Sequence, residues 1–423
     1  MKISIHRHNR GRVVVFNNAT LAAMIATIFI IRPDSEALTA ILGYWLGRAI
    51  YYFLKIGNYC LLLLLIGYLL YSLIAKRRKI SRPTYFILGY VIVLLCSTVR
   101  MGSYSIVYLF ELLGSNLAFF VLFDMIGNRR TIDCIRGIYY YLTVAMLLNS
   151  LTIYFYYPDG VYAIANGNSN YYLFALDNVG FLYEIATLCL GLVYHICYER
   201  KITFCTYLIH ILIIGAYFYS AAATAMIVGF CAVLFIISYR MLSKFKIIKV
   251  INIRLILIVS TLTFLVIVLL QSVSAFSWLF DIVGKDATFN SRINIWNAAL
   301  NIWKDHCLLG VGTSGDIINS YLHMGGLSSA WGTGIGHLHN VVLEVIFDGG
   351  ILAMTFFIGV IACSYKKMRD ENKYIITKIL CVFFFLQWLS VMFDFRTNTY
   401  TFWLIPIVMY RIPYLVSYYN RIN

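Results

Sequence analysis

Charge and proline are scarce in this 423-residue chain: 12% of its residues are Asp, Glu, Lys or Arg, and only 5 are proline. No polar tract is long enough to form a disordered tail or a separate soluble domain. With 61% of residues hydrophobic and a mean hydropathy of +0.80, a water-soluble domain could not bury its apolar surface, so lipid is the solvent for most of the chain. The ten cysteines show no Cys-x-x-Cys spacing, and Cys307 alone falls in a long outer segment, which leaves no disulfide or metal framework there. A phosphate-cradling glycine loop is missing. So is an internal repeat, which counts modestly against a carrier built from matched halves.

What is present has an order. The formal net charge is +16, and its basic residues come in short clusters between apolar runs: KRRKISR (76–82), NRRTIDCIRG (128–137), ERK (199–201), RMLSKFKIIK (240–249) and KKMRDENK (366–373). That distribution follows the positive-inside rule and excludes nucleic acid as a partner. The 34 Tyr and 29 Phe suit interface belts and packed helices. Runs of about 17–22 apolar residues can cross a hydrocarbon core of about 30 Å. They fall near 14–31, 58–75, 84–99, 105–126, 138–156, 179–197, 202–219, 221–239, 253–271, 341–363, 378–393 and 399–417.

This threading puts both termini in the cytoplasm, with 26 of the 34 Lys and Arg on the inner side and 8 on the outer. The basic N-terminal stretch MKISIHRHNRGR lacks a cleavage pattern and reads as the start of a retained first helix. Residues 36–54 read as an interfacial helix, because counting them as a span would put KRRKISR outside. The expected fold is an all-α polytopic membrane protein with about 12 transmembrane helices. One membrane domain covers 1–423, and a long extracytoplasmic loop at 272–340 carries the candidate site.

Four of the eight histidines, His306, His323, His337 and His339, lie in that loop, with Lys285, Arg292, Lys304 and a run of glycines. Histidine is suited to take a proton near neutral pH, and arginine to hold a phosphate through two parallel donors. In GHLHNVVLEVIFDGGIL (336–352) two histidines stand at the mouth of an apolar helix. Asn340 is placed to cap that helix, whose free N–H groups favour an anion. Glu344 follows one turn later on the same face. Arg100 and Arg396 sit at expected outer helix ends, whereas Glu111, Asp124 and Glu184 read as polar ties between helices. A second outer loop, YPDGVYAIANGNSNYYLFALDN (157–178), has the Tyr, Asn and Asp of a saccharide-binding lid, and equally those of an ordinary polar loop.

Together these residues carry a resemblance. Arg292 with Trp296, the apolar turn LLGVG (308–312), then His339-Asn340, nine residues and Gly350 resemble the shared core of the O-antigen ligase and polymerase superfamily. That resemblance implies metal-independent, inverting glycosyl transfer from an undecaprenyl-diphosphate-linked oligosaccharide, at the outer face of the bacterial cytoplasmic membrane and without a cofactor. It assigns His339 as the base and Arg292 as a phosphate clamp. His337, Trp296, Asn340, Glu344, Arg100 and Arg396 are the candidate substrate contacts.

Two departures from the family pattern matter. Ala353 stands where ligases tend to have Gly, Thr or Tyr. Ala221 stands where they usually have a second arginine, which favours a Wzy-type repeat-unit polymerase. The alternatives are an O-antigen ligase delivering glycan to lipid A-core and, from another class, a carrier of lipid-linked oligosaccharide. A chain-length regulator is the protein partner that a polymerase implies.

Overall fold

The computed structural model describes residues 17–75, 80–102, 105–163, 170–175, 177–199, 203–220, 223–244, 249–266, 289–313, 337–393 and 400–422. Within these the chain is helical apart from one short antiparallel pair, in which Tyr162 faces Tyr171 and Ala163 faces Asn170. The first helices are α1 (Asn18–Ile30), α2 (Ser35–Leu42), α3 (Tyr44–Ala75), α4 (Arg82–Arg100), α5 (Ile106–Ile126) and α6 (Thr131–Tyr156). After the strand pair come α7 (Asp177–Tyr194), α8 (Phe204–Tyr219), α9 (Ala223–Lys244), α10 (Ile253–Phe264) and α11 (Phe289–Trp303). The chain finishes with α12 (Val341–Asp370), α13 (Ile375–Val391), α14 (Leu404–Tyr410) and α15 (Ile412–Ile422).

Among the described residues six helices are long and apolar enough to cross a membrane: Tyr44–Ala75, Arg82–Arg100, Ile106–Ile126, Asn128–Tyr156, Gly180–Glu199 and Val341–Asp370. Six shorter apolar helices, Asn18–Ile30, Phe204–Tyr219, Thr224–Ser238, Ile253–Phe264, Ile375–Val391 and Tyr400–Tyr410, lie at the remaining sequence-predicted positions. Side chains such as Phe53, Leu63, Ile74 and Phe204 face outward, and Ile74 is 81% exposed. Water would penalise such a surface, whereas lipid does not.

The segment 36–54 corrects the sequence reading, because it is not one helix. Gly43, at φ +82°, ends α2, and α3 then runs unbroken from Tyr44 to Ala75. At about 1.5 Å per residue, its 32 residues make a rod of about 48 Å, longer than the hydrocarbon core is thick.

Helices that cannot rely on hydrophobic exclusion need close packing and polar ties. Among the described residues α4 and α12 form the most extensive pair, and glycines let them approach. A Cβ on Gly89 would stand 2.4 Å from the Phe356 ring, and one on Gly359 would stand 2.2 Å from the Phe86 ring. Asp124 on α5 accepts from Ser81 N (2.9 Å) and Thr84 Oγ1 (2.6 Å), and pairs with Arg411 between α14 and α15. Asn116 on α5 accepts from Trp403 Nε1 at 2.8 Å. Glu111 lies 3.3 Å from Arg32 and 3.9 Å from Lys55. Asp124, Glu111 and Glu184, expected as polar ties, all join different helices.

Candidate active site at a broken helix

The α12 helix does not run straight through its apolar sequence. Gly350, separated from Asn340 by nine residues, takes φ +64°, and the helix breaks there. Uninterrupted, Ile351 N would donate to Phe347 O and Leu352 N to Asp348 O. Instead Ile351 N donates to Cys307 O (2.9 Å) and Leu352 N to Leu308 O (3.3 Å). The released carbonyls of Phe347 and Asp348 accept from Val311 N (2.7 Å) and Gly312 N (2.9 Å). Four bonds that two separate helical turns would have made internally are thus exchanged between them. The apolar turn 308–312 and the Gly350 position of the motif form one backbone joint, with no buried N–H or C=O lost.

Two features fix the glycines of this joint. Gly310 and Gly312 adopt φ +66° and +85°, which L side chains rarely take. A Cβ on Gly310 would stand 2.3 Å from Phe347 O, and one on Gly350 2.4 Å from the Leu308 carbonyl. The end of α4 then clasps the turn. Thr98 Oγ1 accepts from Thr313 N at 3.1 Å and itself donates to Leu94 O at 2.8 Å. Arg100 Nη2 donates to Gly310 O, and Tyr108 on α5 donates its hydroxyl to Thr313 O.

The histidines sit at the mouth of α12. His339 has φ +57°, the only positive φ outside glycine among the described residues. For a non-glycine residue this conformation costs roughly 1–3 kcal/mol and persists only where neighbours impose it. Those neighbours are identifiable. Trp296, fully buried on α11, donates Nε1–H to Leu338 O at 2.9 Å. Glu344, also buried, accepts from Leu338 N at 2.6 Å through Oε2.

Both polar groups of the residue between the histidines are therefore tied, one to α11 and one to α12. Asn340 caps α12 by accepting from Val342 N (3.1 Å) and Leu343 N (3.2 Å), and its Nδ2 donates to Met392 O at 3.1 Å. Leu338, Leu343, Phe347, Val311, Ile295 and Trp296 form the apolar floor. Held this way, the rings of His337 and His339 lie 3.8 Å apart between centroids, His337 buried and His339 partly open.

Several residues expected from sequence to touch substrate also meet protein backbone. Trp296, Asn340 and Glu344, expected as substrate contacts, are buried; Trp296 Nε1 and Glu344 Oε2 meet Leu338 backbone, and Asn340 meets the backbone of Val342, Leu343 and Met392. Arg100 holds the glycine turn. Arg292 stands one turn before Trp296 on α11, and its side chain lies outside the described residues. Lys285, His323, Arg396 and Ala221 also lie outside them. Among the described residues no group of three His, Cys, Asp or Glu side chains could hold a metal ion.

Sequence reasoning passed over Thr98, Tyr108, Thr313 and Asp348. Asp348 is buried one turn after Glu344, within electrostatic range of Tyr90 and Tyr108. A carboxylate inside an apolar span was the signal available for it.

A bundle of apolar helices, six of them among the described residues long enough to cross a membrane, is the architecture of a multi-pass membrane protein. Residues 207–358 match the family described as O-antigen ligase. The match takes in the described joint, Trp296 and the histidines, and supports the O-antigen ligase/polymerase superfamily, whose members are membrane glycosyltransferase-like enzymes. No curated protein matches the chain.

Proposed function

We propose that the protein polymerises undecaprenyl-diphosphate-linked oligosaccharide repeat units into a surface polysaccharide at the outer face of the bacterial cytoplasmic membrane. The observation that carries this reading is His339, held at a left-handed φ by ties to α11 and α12 at the helix mouth. A substrate tethered in lipid and reacting in water calls for a base at that depth.

In this reading the chain crosses the membrane twelve times with both termini inside, and 337–340 faces the periplasm or cell exterior. His339 removes the proton of the acceptor hydroxyl. The acceptor oxygen forms its bond to the anomeric carbon on the face opposite the diphosphate. The bond from that carbon to the diphosphate oxygen breaks, its electron pair stays on the lipid diphosphate, and the configuration inverts. Arg292 stabilises the growing charge on the leaving group, as a metal ion otherwise would. His337 lies against the base and completes the polar mouth. Arg396 is the further proposed cation. A chain-length regulator is the proposed protein partner.

Ala221, in place of the arginine that ligases usually carry, supports polymerase. The description of the matched family as O-antigen ligase favours the second reading, transfer to lipid A-core. Purified protein given synthetic undecaprenyl-diphosphate repeat units separates them. A ladder of lengthening lipid-linked glycan, unchanged by a chelator, supports polymerisation. Transfer only when a lipid A-core acceptor is added overturns it in favour of the ligase.

A further inference from the structure

Glu184 lies fully buried on α7, and its partner is His210 on α8, whose Nδ1 is 2.9 Å from Glu184 Oε1. A helix tie could end there, but the polar series continues. His210 Nε2 lies 3.5 Å from the Tyr139 hydroxyl on α6, and that hydroxyl lies 3.3 Å from His195 Nε2. His195 Nδ1 lies 2.6 Å from Glu199 Oε2, and Thr206 Oγ1 is a further neighbour of His195 Nε2 at 3.3 Å. His195–Glu199 is a single turn of π-helix at the end of α7, a rare geometry that recurs at functional sites.

The line is closed at one end and open at the other. Glu184 is inaccessible and its Oε2 has no hydrogen-bond partner. The Glu199 side chain is 25% exposed and adjoins the basic pair 200–201. The separation along α7 is about 20 Å at ~1.5 Å per residue, more than half of a ~30 Å hydrocarbon core.

A phenol between two imidazoles has one proton to give and a lone pair to receive one. Two carboxylates, two imidazoles and a phenol in series are therefore all groups able to pass a proton on, and ionisable groups at this depth mark proton relays.

We propose that Glu199, His195, Tyr139, His210 and Glu184 form a proton-binding line, entered from the Glu199 end, at whose closed end Glu184 and His210 share the bound proton. The transfer balances at each member. A proton from water joins Glu199 and passes to His195 Nδ1. His195 Nε2 gives its proton to the Tyr139 oxygen, and the Tyr139 O–H proton passes to His210 Nε2. His210 Nδ1 gives its proton to Glu184.

The groups facing this line are as follows. From α6, Arg136 donates Nε–H to Tyr140 OH at 3.3 Å and lies over the rings of Tyr140, Tyr194 and Tyr198. From α7 and its π-turn, Tyr194 OH donates to Glu199 Oε1 at 3.5 Å, with the buried thiols Cys189 and Cys197 nearby in sequence. Tyr207 comes from α8, and Tyr418 of α15 stacks on Tyr198 at 6.4 Å. Among the described residues α9 and α13 bring no ion pair to it.

The test uses the full-length protein in lipid nanodiscs, followed by infrared difference spectroscopy during pH titration and after a pH jump. The expected result is a protonated-carboxyl stretch that titrates in the wild type and is missing in Glu184→Gln. Its response to the jump should slow severalfold or more in Tyr139→Phe, and likewise in Glu199→Gln, since each substitution removes one proton-passing member of the series. Where Glu184→Gln fails to fold, Glu184→Asp serves by moving the band. A carboxyl band identical in wild type and Glu184 variants overturns the site. A response unchanged by Tyr139→Phe overturns the line. Neither readout involves glycosyl transfer, so failure here is separate from failure of the polymerase reading.

Discussion

Replacing Gly350 by alanine tests the joint on which the site is built. An alanine held at φ +64° and ψ −163°, a region that is essentially reserved for glycine, costs about 1–3 kcal/mol in backbone strain. Its Cβ would also stand 2.4 Å from the Leu308 carbonyl carbon and oxygen, both backbone atoms, so the turn must retreat. Retreat breaks the two bonds from Ile351 N and Leu352 N to Cys307 O and Leu308 O, each worth about 0.5–1.5 kcal/mol. The expected destabilisation is therefore about 2–6 kcal/mol.

It should be read by denaturant unfolding of the purified protein in micelles. Hydrogen exchange should report the amides of Val311, Gly312, Ile351 and Leu352 together. Gly67→Ala is the control, because a Cβ on Gly67 meets nothing within 4 Å and should cost nothing. A Gly350→Ala protein within ~0.5 kcal/mol of wild type, with those four amides still protected, would refute the reasoning, since that is the scale of an inert substitution.

Three further substitutions follow from the same contacts. Trp296→Phe keeps most of the apolar floor but removes the donor to Leu338 O, leaving a buried acceptor unmet. The account predicts a loss of about 1–3 kcal/mol in unfolding experiments, and a fall in kcat exceeding any change in KM. Glu344→Gln still offers an oxygen to Leu338 N but without the charge, so it should be milder than Glu344→Ala in both stability and turnover assays. Asp124→Asn leaves Arg411 buried without its ion-pair partner and should cost about 3–5 kcal/mol by denaturant titration, although it lies far along α5 from the histidines.

The positions of the apolar helices were legible because apolar runs of that length have few alternatives in water. The 36–54 segment was read as one interfacial helix to keep KRRKISR inside, yet it is broken at Gly43, and α3 carries Arg48 and Lys55 on one continuous rod, Lys55 beside Glu111. Asn340 as a cap was readable from its place before an apolar run, and the structure has it capping. The joint between 307–312 and 347–352 was visible only as glycines at fixed spacing. Its bonds are backbone to backbone, and which carbonyls they reach is not written in any side chain. Trp296 and Glu344 could be singled out, but their shared tie to Leu338 could not be read from the sequence. Thr98, Arg100 and Tyr108 meet the turn from more than 200 residues away, beyond the reach of any local pattern.

The central claim is that His339 is the base at the helix mouth. The most direct measurement is repeat-unit elongation by His339→Gly, with and without added imidazole. Glycine accepts the left-handed φ more readily than histidine, so the variant should unfold no more easily than wild type. The account predicts that this folded protein makes no ladder and that free imidazole restores part of it. A ladder of undiminished length and rate from His339→Gly without imidazole would contradict the account.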